Sequence, residues 1–322
     1  MSELEERIVD CALRLGFALV GFARIRRLGH REGFFNQWLA DGRAGDMGWL
    51  ERAPERRFDP RAIDSGLRSV VSLAFPYAAP RPPVVDWRSE LRGRIASYAL
   101  GRDYHDSVLK KAHLVADAIQ GQLPQSITRV YIDTGPVLER EWAAEARLGW
   151  FGRNTNLINR YQGSYFFLAE VFTSIDFDSP LEPYRDHCGT CRQCLALCPT
   201  QALADGFKLD PRLCISYLTI EHRGRIPKEL RPQMGNWIFG CDICQEVCPW
   251  NARAPVTADS AFAQREIPPL EELVNLTEEE FSEVARGTPL GRPKYAGFMR
   301  NVRTALENKK GGDPQSDPRP VL

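Results

Sequence analysis

The chain has 322 residues, 43% hydrophobic and 26% charged, which is room for about two ordinary globular domains. Lys plus Arg and Asp plus Glu balance at 42 each, so overall charge selects neither nucleic acid nor membrane, and any such surface must be local. No apolar run is long enough to span a bilayer and the acidic start is no secretory leader, so the expectation is a cytoplasmic monomer without a membrane partner.

Residues 3–16 set Leu4, Ile8, Cys11, Ala12 and Leu15 at helical spacing, with Gly16 as the stop. Cys11 falls on the apolar face and reads as a buried core thiol. Residues 17–22 (FALVGF) read as a strand, and a helix around 33–39 leads into the Gly-rich DGRAGDMGWL. In APERRFDP the arginines fit a solvated loop, although Arg57 is also the residue type that clamps a carboxamide or phosphate. Residues 69–75 are a buried strand and 79–83 a proline-rich surface loop. RIASYAL then precedes a helix over 104–120 whose Val108, Ala112, Val115 and Ile119 face inward. His105 and His113 read as helix-surface or capping residues.

Residues 129–132 form a short strand that delivers Asp133-Thr134-Gly135-Pro136 ahead of a helix over 137–147. Asp133 has two readings: a capping carboxylate, or an acid at the C-terminal end of a strand, where α/β folds place chemistry. GWFGRNTNLIN (149–159) is too rich in Gly and Asn for a helix or core strand, whereas 165–172 is a strongly apolar strand. Strands alternating with helices predict an α/β or α+β domain over 1–178, with a proline-bearing linker at 176–183.

Eight of the nine cysteines fall between Cys188 and Cys248. In CGTCRQCLALCP, Cys188, Cys191, Cys194 and Cys198 have the bacterial ferredoxin spacing, whose fourth thiolate crosses to a second cluster. CDICQEVCP repeats this imperfectly with Cys241, Cys244 and Cys248; Ile238 stands where a further cysteine is expected, and Cys214 is the substitute. Crossover assigns Cys188, Cys191, Cys194 and Cys248 to one 4Fe–4S cluster and Cys198, Cys214, Cys241 and Cys244 to the other. Structural zinc does not explain two x3-Cys-Pro endings, and disulfides do not suit a reducing compartment. The cluster domain spans 179–255.

Residues 213–222 read as a helix. The basic run 223–231 (Arg223, Arg225, Lys228, Arg231) is either a solvated loop or a phosphate-contacting edge. A helix over 276–285 starts at Thr277, and the basic extension 256–310 carries Arg292, Lys294 and Arg300. Residues 311–322 are too polar and proline-rich to pack. No dinucleotide fingerprint, Ser/His/Asp set or H-E-x-x-H occurs.

The ordered set MGWLERAPERRFDPR, IASYALGRDYHD, VYIDTGPVLERE, GWFGRNTNLIN, GSYFFLAEVFT and CISYLTIEHRG, beside the double cysteine motif, resembles the epoxyqueuosine reductase family over about residues 3–308. The resemblance implies a nitroreductase-like cobalamin-binding domain followed by the ferredoxin-like domain. It implies reduction of the epoxide of epoxyqueuosine at the tRNA wobble position, with an external low-potential electron donor and the anticodon stem-loop as partners. Asp133 matches the family's proton donor, and a raised pKa is expected of it. Arg57, Ser97, Asn154, Asn156 and Leu157 match stretches that line cobalamin; Ser216, Cys241 and Asp242 are expected near the corrin edge. The basic runs are the expected tRNA contacts. No histidine stands in a cobalamin-ligating motif, and the chain stops where many relatives continue into helical repeats. Two competing readings are a cobalamin-dependent reductive dehalogenase and a non-catalytic two-cluster electron carrier. A third is an RNA-binding protein with structural clusters.

Overall fold

The computed structural model describes residues 2–79, 91–178, 182, 184–203 and 206–311. Most of the predicted 79–83 loop and the polar C-terminal tail lie outside the described residues. The strands are β1 (Leu19–Arg24), β2 (Ser69–Pro76), β3 (Arg94–Ile95), β4 (Thr128–Tyr131), β5 (Trp150–Phe151), β6 (Leu157–Ile158), β7 (Phe166–Thr173) and β8 (Trp237–Phe239). The main sheet has the order β1-β2-β7-β4 and every pairing in it is antiparallel, which resolves the α/β or α+β expectation as α+β.

Side chains alternate across β7. Phe167, Ala169 and Val171 pack towards the helices Glu3–Arg14 and Tyr104–Gln122, while Phe166, Leu168 and Phe172 pack towards the helix Glu139–Glu145 with its buried Trp142. Both faces of this antiparallel sheet are therefore covered, and its central strands read as continuous apolar runs. One polar pair interrupts them: Glu170, fully buried, lies opposite Ser72 and accepts its hydroxyl hydrogen at 2.9 Å.

The Glu3–Arg14 helix begins with a capping box of Ser2 and Glu5, and Thr277 with Glu280 does the same for the Glu278–Ala285 helix. Cys11 is half-buried on the first of these, not enclosed in the core.

The cysteine-rich region is not a detached bead. β3 pairs in parallel with β8, and Ile95 shares a core with Phe239, Leu273, Phe298 and Val302. Ile238, where the cysteine repeat lapses, is a fully buried strand residue of that core. The helix Lys294–Gly311 locks onto β8 through Asn301, whose Nδ2 donates to the carbonyls of Thr219 (2.8 Å) and Ile238 (2.9 Å). No helix among the described residues is long and apolar enough to cross a membrane.

Candidate active site

Cys188, Cys191, Cys194 and Cys248 line one cavity of about 190 Å³, and Cys198, Cys214, Cys241 and Cys244 line another of about 350 Å³. The grouping is the one the crossover spacing predicts. It arises because the short helices Gln193–Ala196 and Ile243–Glu246 present the two motifs to each other, while Cys214 stands at the N-cap of the helix Ile215–Ile220. All nine cysteines are free. Among the described residues no three His, Cys, Asp or Glu side chains converge on a single-ion centre. A tetrahedral zinc holds its sulfurs about 2.3 Å from one atom; thiolates spread around a cavity suit a multi-iron cluster instead.

The Gly- and Asn-rich stretch, which sequence logic left without an element, is a hairpin of β5 and β6. Its tip turns with Thr155 in the left-handed region (φ 64°) and aims both asparagines at the second quartet. Asn154 Nδ2 donates to the Cys244 carbonyl at 3.2 Å, and Asn156 Nδ2 lies 4.0 Å from Cys244 Sγ.

The larger cavity extends beyond the cysteines. Tyr77, Tyr98, Leu157, Phe166 and Leu168 give it apolar walls, and Asn154, Thr155, Asn156, Ser216 and Asp242 a polar rim. An apolar wall with amide and hydroxyl donors at its edge fits a flat macrocycle fringed with carboxamides. Ser97 is one step behind the rim, its backbone N–H donating to Asp242 Oδ2 at 2.6 Å. Arg57 is buried on the short helix Pro54–Phe58, its guanidinium 5.6 Å over the Trp49 ring, so it is not part of a solvated loop. It is not among the residues lining the cavity, and its Nε has no partner.

Asp133 does not cap a helix. The next helix starts six residues later at Glu139, and Thr134 N–H bonds back to Ile132 O (2.5 Å), closing a tight turn with Asp133 at φ 54°. An aspartate held there is locally strained and thrust out of the strand end. Its Oδ2 accepts from Tyr104 OH (2.6 Å) and lies 3.2 Å from His105 Nε2; the other ring nitrogen of His105 is 2.7 Å from Asp103 Oδ1. Glu139 accepts the backbone N–H of Asp133.

The chain's own contacts work against the raised pKa expected from burial against a corrin. Surrounding protein pushes the Asp133 carboxyl up, even though 59% of its side chain is open to solvent, but hydrogen bonds from His105 and Tyr104 and the charges of His105 and Arg292 hold it below its usual value. The proton sits on its neighbours instead. Burial works against the His105 imidazolium, yet Asp103 and Asp133 together raise it to about 9. Burial, then the charge of Asp133, pushes Glu139 up to about 8.

Sequence reasoning missed Tyr104 and assigned His105 to a surface or cap. Asp103 is the cap, accepting the His105 N–H at 3.0 Å, and the ring is left free to bridge two carboxylates. The D-Y-H run was visible; its partner at the end of β4 was not. Tyr98, 6.1 Å from Tyr104 between ring centres, carries the group to the cavity wall.

Among the predicted tRNA contacts, Arg223, Arg225, Lys228, Arg292 and Lys294 are exposed. Arg292 pairs with Glu221 at 2.9 Å, within electrostatic reach of Asp133. Arg300 is internal: it donates to the carbonyls of Leu218, His222 and Gly224 at 2.7–2.8 Å. Arg231 donates to Ile226 O at 3.0 Å and faces Glu307.

Known proteins resemble this chain in sequence and fold. Residues 187–251 match a family described as "4Fe-4S double cluster binding domain", and residues 57–134 match "Epoxyqueuosine reductase QueG, DUF1730". The epoxyqueuosine reductase of Pseudomonas aeruginosa is 40% identical over 313 residues, covering 95% of this chain and 86% of its own. That of Escherichia coli is 36% identical over 338 residues, covering 98% and 88%. A solved epoxyqueuosine reductase with an epoxyqueuosine-modified tRNA-Tyr stem loop superposes with TM-score 0.88 at 29% identity, covering 96% of this chain and 82% of that one. One from Bacillus subtilis, with its catalytic aspartate loop swung out of the active site, gives 0.86 at 28% identity, covering 99% and 87%. Fold and site together define an iron–sulfur oxidoreductase. With such relatives over nearly its whole length, the chain belongs to the epoxyqueuosine reductase family.

Proposed function

We propose that this protein reduces the epoxide of epoxyqueuosine at the tRNA wobble position to queuosine. Electrons come from an external low-potential donor through two 4Fe–4S clusters, held by the two cysteine quartets, to cobalamin, and Asp133 passes the proton. The observation that carries the reading is the junction of the second quartet, an apolar cavity with an amide rim, and an acid joined to the cavity wall through Tyr104 and Tyr98. The enzyme works in the cytoplasm as a monomer.

Epoxide removal takes up two electrons and two protons; both C–O bonds break, a carbon–carbon double bond forms, and the oxygen leaves as water. Cobalamin, when bound, supplies a low-potential metal centre able to attack or reduce the strained ring. Leu157, Phe166 and Leu168 would hold its face, and Asn154, Asn156 and Ser216 its amide edge. The remainder is the chain's own work. Tyr77, Tyr98 and Phe166 give the cavity an apolar wall, which strengthens hydrogen bonds beside it. Asp133 Oδ2, ionised at rest, relays to the leaving oxygen a proton drawn from its neighbours as negative charge develops there. His105 Nε2 is the source of that proton, because near neutral pH it holds one and already touches Oδ2. Exposed Arg223, Arg225, Lys228, Arg292 and Lys294 are the phosphate contacts of this reading.

The test is single-turnover reduction of epoxyqueuosine-containing tRNA by reconstituted, cobalamin-loaded protein, wild type against Asp133→Asn. Product from wild type and severe loss in a variant that still binds cobalamin and tRNA is the expected result. Absence of both product and cobalamin uptake in wild type overturns the reading and leaves a two-cluster carrier.

A further inference from the structure

We propose that the exposed edge of the Cys188/Cys191/Cys194/Cys248 quartet is the docking face for an acidic, one-electron carrier protein. The proposal rests on the reading that this quartet holds a 4Fe–4S cluster, and it adds the chemistry of the partner. The quartet is the outer of the two. Gly189, Thr190, Arg192 and Gln193, interleaved with its ligands, are all exposed, whereas the second quartet faces the substrate cavity.

Arg153, Arg185 and Arg192 stand at that edge, and Arg160 and Arg253 are exposed on neighbouring turns. Arg192 lies between Cys191 and Cys194, and Arg185 just ahead of Cys188. Arg153 Nη2 binds Gly189 O at 2.8 Å, its guanidinium 5.0 Å over the exposed Phe207 ring. The turn that bridges Asn159 and Gly163 is fastened to the cluster region by Ser164 N–H donating to Asn251 Oδ1 at 2.7 Å. This brings Gly163 against the Trp250 carbonyl, with exposed Arg160 and Tyr161 (71% exposed) on the same turn and exposed Arg253 three residues past Trp250. Trp250 lines the cysteine cavity and packs 5.3 Å from Trp150. Among the described residues Arg160, Arg185, Arg192 and Arg253 make no ion pair. Asp186 and Glu182 are the acids of the same segment. In a chain with no net charge, such a rim is a local field that speeds the approach of an acidic partner. Exposed aromatic and arginine side chains around a closely approachable redox centre suit a brief protein encounter.

RNA is the competing occupant of a basic face. The geometry favours the carrier, because a separate basic set, Arg223 and Arg292, stands on the Asp133 side. Each encounter moves one electron: the carrier is oxidised, the cysteine-held cluster is reduced, and no bond is made or broken.

The experiment follows cluster reduction in reconstituted holoenzyme by stopped-flow absorbance, with reduced flavodoxin as the acidic carrier and methyl viologen radical as a small cationic reductant. Arg185→Glu/Arg192→Glu is expected to slow reduction by flavodoxin roughly ten-fold or more at low salt. Reduction by viologen and tRNA affinity should be undiminished. The wild-type flavodoxin rate should fall with ionic strength, and Arg185→Lys/Arg192→Lys should retain it. A flavodoxin rate that ignores both charge reversal and salt overturns the proposal. A loss of tRNA affinity in the Glu variant assigns the face to RNA. Should wild type itself take up no cluster, the cluster reading fails, an outcome distinct from either.

Discussion

His105 Nε2 stands 3.2 Å from Asp133 Oδ2, while its Nδ1 is held 2.7 Å from Asp103 Oδ1. A histidine between two carboxylates keeps its proton to unusually high pH. Replacing it with Asn should leave cobalamin and tRNA binding intact and reduce the single-turnover rate about 100-fold, the scale of one general acid.

The same contact sets a pH dependence. His105 is raised from 6.5 to about 9, so the proton it supplies is lost as pH climbs through about 9, and the wild-type rate should fall there. The sign for stability agrees: the pair's contribution is complete below 6.5 and fades as pH rises through about 9. A His105→Asn profile that still falls at about 9 would move the titration to another group, Glu139 being next in line.

Trp150 offers a test of the outer cluster that needs no substrate. Its buried indole N–H completes no hydrogen bond within the chain, yet it lies near enough to Cys188 to favour that thiolate. Hydrogen bonds to cluster sulfurs raise a reduction potential. Trp150→Phe should therefore lower the midpoint of one cluster in an EPR-monitored titration, with the other unmoved.

Two arginines from the same basic region should behave oppositely. Arg300→Ala strips three carbonyls of their donor and should cost about 2 kcal/mol or more in denaturant unfolding. Arg225→Ala should leave unfolding unchanged, weaken tRNA binding, and lower the salt dependence of affinity by about one ion.

Glu170 gives a stability prediction away from the site. Burial pushes its carboxyl far up, and the nearby Glu139 adds to this. Folding therefore favours the neutral acid, and stability falls as pH rises above the ordinary carboxylate range. Glu170→Gln removes that titration and should stabilise the fold above the ordinary carboxylate range, flattening the fall in a pH series of denaturant unfolding.

What the sequence revealed follows from how local each signal is. Cysteine spacing within a motif is read by a few turns of chain, so the division of the cysteines between two cavities was legible, Cys214 included. The strong apolar runs of β2 and β7 announced themselves because both faces of the sheet are covered. Antiparallel order was not legible, since helices between strands suggest crossovers whichever way the strands run. Tyr104 and His105 became functional only through Asp133, which lies on another element. Arg300 looked like a phosphate ligand because charge is visible in a sequence and a backbone carbonyl is not.

The pairing of β3 with β8 dictates an order of events during synthesis. β3 is made early, but its neighbour in the sheet is Trp237–Phe239, which leaves the ribosome only after most of the cysteines have emerged. The catalytic half therefore cannot close over Tyr98 until the thiolate-bearing segment has been laid down beside it. Final folding of this half therefore waits for the cysteine-bearing segment, and a chain cut short ahead of Trp237 should be open and protease-sensitive.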